Sequence, residues 1–401
     1  MSTRPLTAGA IAGSLLGAAT LLWYWWPRVL FGSPLRGNTG DGWILIHPAR
    51  FVAAGAYPYL YTPYAYRAGS WPYPPGVAVL FAPVAWLIDA LGLDISEPPL
   101  RLANPSAWAV LGPALVVVGA TLGPAVVGLG RRVGARHGCS LVALVVAAGG
   151  FTAAVQYGHP EDVLALVAMI GALGAAIDRR WRRVGLLLGA ALLCKQWAIV
   201  LVPLLVARAP AEERRRLLLT ALAVPAVPIG ICLLFDPIVT IKALTGTIAH
   251  PVLGHRFPWI PSGDVVGAPI RIVGLVVVGV LGWRWGRTRA GLALVASAGL
   301  LMAARVLSEP VPFSYYVLQW SVFVLIVVAS TRTRPMLWAH GLCLTTLCLW
   351  FASHPTPWLW WPVACALAAP GIVVLVRAAA VRVAPPEPSA MSRPPEDVSV
   401  G

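Results

Sequence analysis

Residues 184–207, VGLLLGAALLCKQWAIVLVPLLVA, are long and apolar enough to cross a bilayer, yet they carry Lys195-Gln196 at mid-run and Pro203 beyond. About 20 apolar residues span the hydrocarbon core, and a lysine at that depth is costly unless it faces a cavity or a partner. The flanks sharpen the problem. Arg180, Arg182 and Arg183 precede the run and Arg208 follows it, and short arginine-bearing loops belong on the cytoplasmic side. A single straight crossing would separate those flanks. A broken or re-entrant segment, tolerated where backbone lines a cavity, would keep them together. The alternative is that one arginine loop lies on the far side.

Similar runs fill the chain outward in both directions. Apolar segments fall at about 9–31, 73–91, 107–130, 139–156, 161–178, 184–207, 216–235, 265–283, 289–306, 312–330, 336–352 and 357–377. With 58% hydrophobic and 11% charged residues and a mean hydropathy of +0.77, the composition excludes an ordinary soluble domain. It predicts an all-α, polytopic transmembrane bundle of about twelve apolar segments, some broken or re-entrant. Long continuous runs exclude an outer-membrane barrel, whose strands alternate over short stretches. The net charge of +15 points to the cytoplasmic loops and not to nucleic acid, because the arginines gather between helices. The six cysteines form no Cys-x-x-Cys pair and read as small buried hydrophobes. The first segment has only Arg4 ahead of it and reads as an anchor.

Arginine placement orients the chain. The loops at 131–136, 178–183, 208–216, 284–289 and 332–334, with Arg377 and Arg382, all favour the cytoplasm. Segment 107–130, with Gly112-Pro113 and Gly123-Pro124, shares the parity conflict of 184–207. With Arg4 inside, the loops at 32–72, 157–161, 236–264, 306–312 and 353–357 lie outside. The organisation expected is one membrane-embedded domain over 1–383, with an outer loop at 32–72, a second at 236–264, and a disordered Pro/Ser/Glu-rich cytoplasmic tail at 384–401.

The first outer loop is the densest in side-chain chemistry. Residues 36–76 read RGNTGDGWILIHPARFVAAGAYPYLYTPYAYRAGSWPYPPG. They hold one acid, Asp41, with His47, Arg50 and Tyr73, and Trp43–Ala54 reads as a short amphipathic helix on the membrane surface. Long loops rich in such residues commonly carry function. Sorting the remaining carboxylates leaves Glu161, Asp162, Asp236, Asp264 and Glu309 on the outer face. His159, His255, Arg256, Arg305 and Tyr316 fall there too. Such a surface suits a reaction chamber, although soluble loops also need polar residues. Glu161 and Asp162 follow Pro160 and equally suit the first turn of a helix. Lys195 could snorkel to an interface. Arg305 could grip a phosphate or simply pair with Glu309 to hold a turn. No His-x-x-x-His or Asp-x-Asp spacing is present, so no metal or cofactor is expected.

The order of several features resembles the GT-C superfamily of integral-membrane glycosyltransferases. A first helix is followed by an early acid and by Ala49-Arg50-Phe51-Val52-Ala53-Ala54-Gly55-Ala56-Tyr57-Pro58-Tyr59. Tyr73-Pro74-Pro75 then opens an apolar helix through Leu80-Phe81-Ala82-Pro83. The turn Gln156-Tyr157-Gly158-His159-Pro160-Glu161-Asp162 stands where that family has Gly-Gln-x-Asn, and Gly185-Leu-Leu-Leu-Gly189 leads to Lys195. The likeness covers roughly 1–330 and resembles most the actinobacterial polyprenol-phosphate-mannose-dependent mannosyltransferases. It implies an inverting transfer of a sugar, mannose in the relatives it resembles, from a polyprenyl-phosphate donor to a hydroxyl of a glycolipid or cell-envelope glycan. The reaction would occur on the outer face of a bacterial inner membrane. Asp41 matches the position of the family's general base. Lys195 and Arg305 would steady the donor phosphate, with His159, His255, Arg256, Arg50, Tyr73 and Tyr316 as further contacts. Asp264, Glu309, Glu161 and Asp162 are secondary acid candidates. The expected partners are the donor, the acceptor and membrane lipids, and not nucleic acid. A transporter, a lipid-carrier flippase and a non-catalytic scaffold are the alternatives.

Overall fold

A computed structural model of the chain describes residues 40–56, 58, 74–93, 105–135, 137–145, 159–245, 264–307, 316–352 and 357–381. Every regular element among them is helical. In chain order these are α1 (Gly40–Ala53), α2 (Gly76–Ala90), α3 (Pro105–Arg132), α4 (Gly138–Val145), α5 (Pro160–Ile177) and α6 (Trp181–Cys194). A 3₁₀ segment (Gln196–Leu201), α7 (Val202–Arg208), α8 (Ala211–Phe235), α9 (Pro237–Thr245) and α10 (Asp264–Thr288) follow. The described chain closes with α11 (Gly291–Leu307), α12 (Tyr316–Thr331), α13 (Arg334–Ala352) and α14 (Pro357–Ala380).

Four stretches, Val110–Arg132, Pro160–Ile177, Ala211–Phe235 and Pro362–Ala380, are long and apolar enough to cross a membrane. The structure does not establish twelve crossings. Segment 9–31 lies outside the described residues, as does most of the 32–72 loop and the tail at 384–401. Large apolar side chains such as Val227, Phe235, Ile272 and Val276 face outward, while Glu161, Asp162, Lys195 and Gln319 are buried. A helical membrane protein distributes its residues this way, because lipid accepts apolar surface and ionisable groups turn inward.

The run at 184–207 is broken. α6 ends at Cys194, and Lys195 adopts an extended backbone (φ −152°, ψ 125°) before the 3₁₀ segment begins. The 14 residues of α6 rise about 21 Å, and the 3₁₀ segment with α7 then returns toward Arg208. Both flanks therefore reach the same end, where Arg179, Arg208, Arg214 and Arg287 surround one cavity. The re-entrant alternative explains the arginines here. Segment 107–130 behaves differently: α3 runs unbroken through Pro113 and Pro124. Its last residue, Arg132, bonds Asp178 through Nε, 3.1 Å to Oδ1 and 3.0 Å to Oδ2. α3 and α5 thus end together at the arginine end and begin at the other.

Close helix contact holds the hairpin. On α6, a Cβ at Gly185 would sit 2.9 Å from the Leu217 carbonyl oxygen, and one at Gly189 would sit 2.7 Å from Val224 Cβ. Both neighbours belong to α8. On α10, Gly282 lies against the Leu204 backbone and a Cβ at Gly286 would meet the Leu204 carbonyl oxygen. Each pair is a small-xxx-small face that lets two backbones approach. Gly189→Val is expected to force α6 from α8 at a cost of about 1–3 kcal/mol, the usual penalty of overpacking. Thermal unfolding in detergent measures it, and an unchanged midpoint would show that the contact tolerates a side chain.

The helix expected at Trp43–Ala54 is present as α1, but it packs on α2 through Leu45, Ile46 and Ala49. Arg50 and Asp89 join the C-terminal ends of the two helices at 2.7 Å. Arg50 belongs to the loop expected outside, and a segment at 73–91 crossing inward from that loop would carry Asp89 to the other side; the ion pair places both on one side. At its other end α2 abuts the hairpin, where a Cβ on Gly76 would stand 2.6 Å from the Leu193 carbonyl oxygen.

Candidate functional site

The buried charges come from elements that meet at the end opposite the arginines. Pro160 opens α5 at its first position, so Glu161 and Asp162 fall in the first turn, beside the positive end of the helix dipole. The break after α6 delivers Lys195 to the same point. Its Nζ lies 2.9 Å from Glu161 Oε1 and 3.1 Å from Asp162 Oδ2. The bond to Glu161 is an aligned hydrogen bond, whereas Asp162 Oδ2 meets the ammonium as a charge contact only. His159 Nδ1 stands 2.6 Å from Glu161 Oε1. A contact that short to a carboxylate requires the proton on Nδ1.

A second layer extends the cluster. Asp162 Oδ1 accepts Trp197 Nε1–H at 2.7 Å and Gln319 Nε2–H at 3.2 Å. Because the amide nitrogen of Gln319 faces Asp162, its Oε1 turns toward Arg305, which donates from Nη1 at 2.7 Å. The Arg305 guanidinium also lies 4.8 Å from the Tyr316 ring centre and 5.8 Å from that of Trp197. One continuous path therefore runs from Lys195 through Asp162 and Gln319 to Arg305, crossing α5, the hairpin, α11 and α12. Glu161 Oε2 is buried and accepts no hydrogen bond among the described residues. A buried acceptor of that kind can receive a donor from outside the cluster.

Of the residues singled out from sequence, His159, Glu161, Asp162, Lys195, Arg305 and Tyr316 converge here. Arg50 does not; it pairs with Asp89. Asp41 stands in the first turn of α1 and Asp264 opens α10, but their side chains lie outside the described residues, as do Tyr73, His255, Arg256 and Glu309 entirely. Sequence reasoning missed Trp197 and Gln319. Gln319 offered a signal, an amide in an otherwise apolar run from Val317 to Ala329 that only Ser321 also interrupts.

His159, Glu161 and Asp162 each offer a ligand atom, all within 4.8 Å of one another. The Lys195 ammonium, however, already stands between the two carboxylates, in the place a cation would take. The set fits a buried ion network better than a metal centre.

The four helices long and apolar enough to cross a membrane, with the buried network at one end, define a helical protein of membrane type with a polar cluster inside its bundle. Comparison with protein-family models, with curated proteins and with solved structures finds no match to this chain.

Proposed function

We propose that the protein is a membrane glycosyltransferase that moves a sugar from a polyprenyl-phosphate donor to a hydroxyl of a glycolipid or envelope glycan. The observation that supports this most is the seating of Arg305. Its guanidinium is oriented by Gln319 and flanked by Trp197 and Tyr316 at the end of the bundle away from the cytoplasm-type arginines. A sugar–phosphate bond carries its own leaving group, so the protein must deprotonate the acceptor and steady the departing phosphate. In this reading Asp41 takes the acceptor proton. The hydroxyl oxygen attacks C1 from the face opposite the phosphate, and the electron pair of the C1–O bond leaves on the polyprenyl phosphate beside Arg305. Lys195 has its charge divided between Glu161 and Asp162, so it positions Arg305 through Asp162 and Gln319 and leaves the phosphate to Arg305.

The test uses membranes carrying the protein, supplied with polyprenyl-phosphate mannose and a lipid acceptor. Arg305→Met is expected to raise the donor KM tenfold or more, with the acceptor KM little changed. Wild-type membranes that leave every polyprenyl-phosphate sugar untouched would overturn the reading, and unchanged donor kinetics in Arg305→Met would remove Arg305 from it.

One observation favours a second reading, a transporter. A discontinuous helix with ionisable residues at its break is how many transporters build a substrate site, and the hairpin at Lys195 has that form. Substrate-dependent uptake into proteoliposomes without sugar transfer would decide for it.

A further inference from the structure

The arginine end holds a second site, remote from the proposed chemistry and independent of it. A cavity of about 350 Å³ is lined by Arg179, Arg208, Arg214 and Arg287, with Trp181 in its wall and, among the described residues, no acid in its lining. The four arginines come from the α5–α6 turn, the end of α7, the start of α8 and the end of α10. Membrane topology asks only that arginines lie on this side; it does not ask four separate segments to aim at one hollow.

Two details show that the arrangement is held in place. Arg179 has φ +59°, in the left-handed region, at the turn where Arg179 N–H bonds the Ala176 carbonyl at 3.1 Å and Arg180 N–H bonds that of Ala175 at 2.8 Å. This is the helix-ending position that glycine ordinarily fills, and an observed outlier of this kind points toward function. Its neighbour Asp178 is clasped by Arg132. Arg214 is fixed at the cavity wall, donating from Nε to the Ala209 carbonyl at 3.0 Å and from Nη2 to that of Ala207 at 3.4 Å, and lying over the Trp283 ring at 5.6 Å. Four like charges around one hollow repel one another, and an anion inside relieves that repulsion.

We propose that this cavity binds a phosphate group. Arginine forks match phosphate oxygens in paired hydrogen bonds, and basic pockets between helices at the membrane surface take anionic head groups. The phosphate comes from a phospholipid head group or from the aqueous phase, and the experiment separates the two.

Delipidated full-length protein in detergent would be titrated with short-chain phosphatidylglycerol, with inorganic pyrophosphate, and with short-chain phosphatidylcholine as the control without net charge. Binding is read by thermal shift and native mass spectrometry. Saturable binding of phosphatidylglycerol alone assigns a lipid; binding of pyrophosphate assigns a soluble anion. Arg179→Gly is expected to weaken either at least tenfold while the ligand-free unfolding midpoint stays level or rises, because glycine suits that backbone. Arg208→Gln is expected to weaken binding similarly. The proposal is overturned if the wild type binds neither anion, if phosphatidylcholine binds as tightly, or if Arg179→Gly binds as the wild type does. The measurement contains no sugar donor, so its result and that of the glycosyltransferase assay stand apart.

Discussion

Lys195→Met is expected to destabilise the protein by about 3–5 kcal/mol, the cost of removing one partner from a buried ion pair. Against a typical total of about 5–15 kcal/mol, that is a large fraction of what holds a domain together. Glu161 and Asp162 are both almost wholly buried, and without the ammonium at 2.9 and 3.1 Å two carboxylates would face each other in a dry interior. The compensated variant Lys195→Met with Glu161→Gln and Asp162→Asn should recover much of the loss. Asparagine keeps an oxygen for Trp197 and Gln319, and an uncharged buried group requires no counter-ion. Unfolding midpoints in one detergent decide it. A single variant as stable as the wild type would mean that the cluster does not hold the hairpin.

Asp41→Asn is expected to lower transferase turnover by about 10²–10⁴-fold, the usual worth of a general base, with little change in stability. The competing role is purely structural. α1 begins at Gly40, which puts Asp41 in its first turn, where an acid gains from the helix dipole about 0.3–1 kcal/mol. Asparagine forfeits that modest term and the base together, so the two roles separate by size. Turnover and thermal stability would be measured on the same preparation. If turnover stays within a few-fold of wild type, Asp41 is a helix-end residue and Asp264 or Glu309 is the next base to test.

The helical class was legible because apolar runs of membrane length leave few other readings. Lys195 was legible for the same reason, one of two lysines and set inside such a run. Its partners were not. Glu161 and Asp162 sit where any helix would welcome acids, so their local role fully masks the long-range one, across 34 residues in sequence. Gln319 and Arg305 are joined only because α11 and α12 turn back on each other. Gly185 and Gly189 stood out as a spaced pair, but that the pair faces α8 follows from packing. Arg50 and Asp89 show a limit of arginine counting: parity assigns sides to whole segments, and a short helix such as α1 that leans on α2 escapes the count.

The position of Lys195 also bears on how the chain is made. The ribosome delivers Glu161 and Asp162 first and their counter-ion 34 residues later. While α5 alone has emerged, its leading turn carries two uncompensated carboxylates and cannot settle into the apolar interior. The counter-ion arrives only when α6 has folded back and the break after it reaches the α5 start. Residues 160–195 are therefore the shortest length of chain that brings Lys195 to these two acids. Synthesis from the N-terminus thus supplies the two acids before the lysine that they hold.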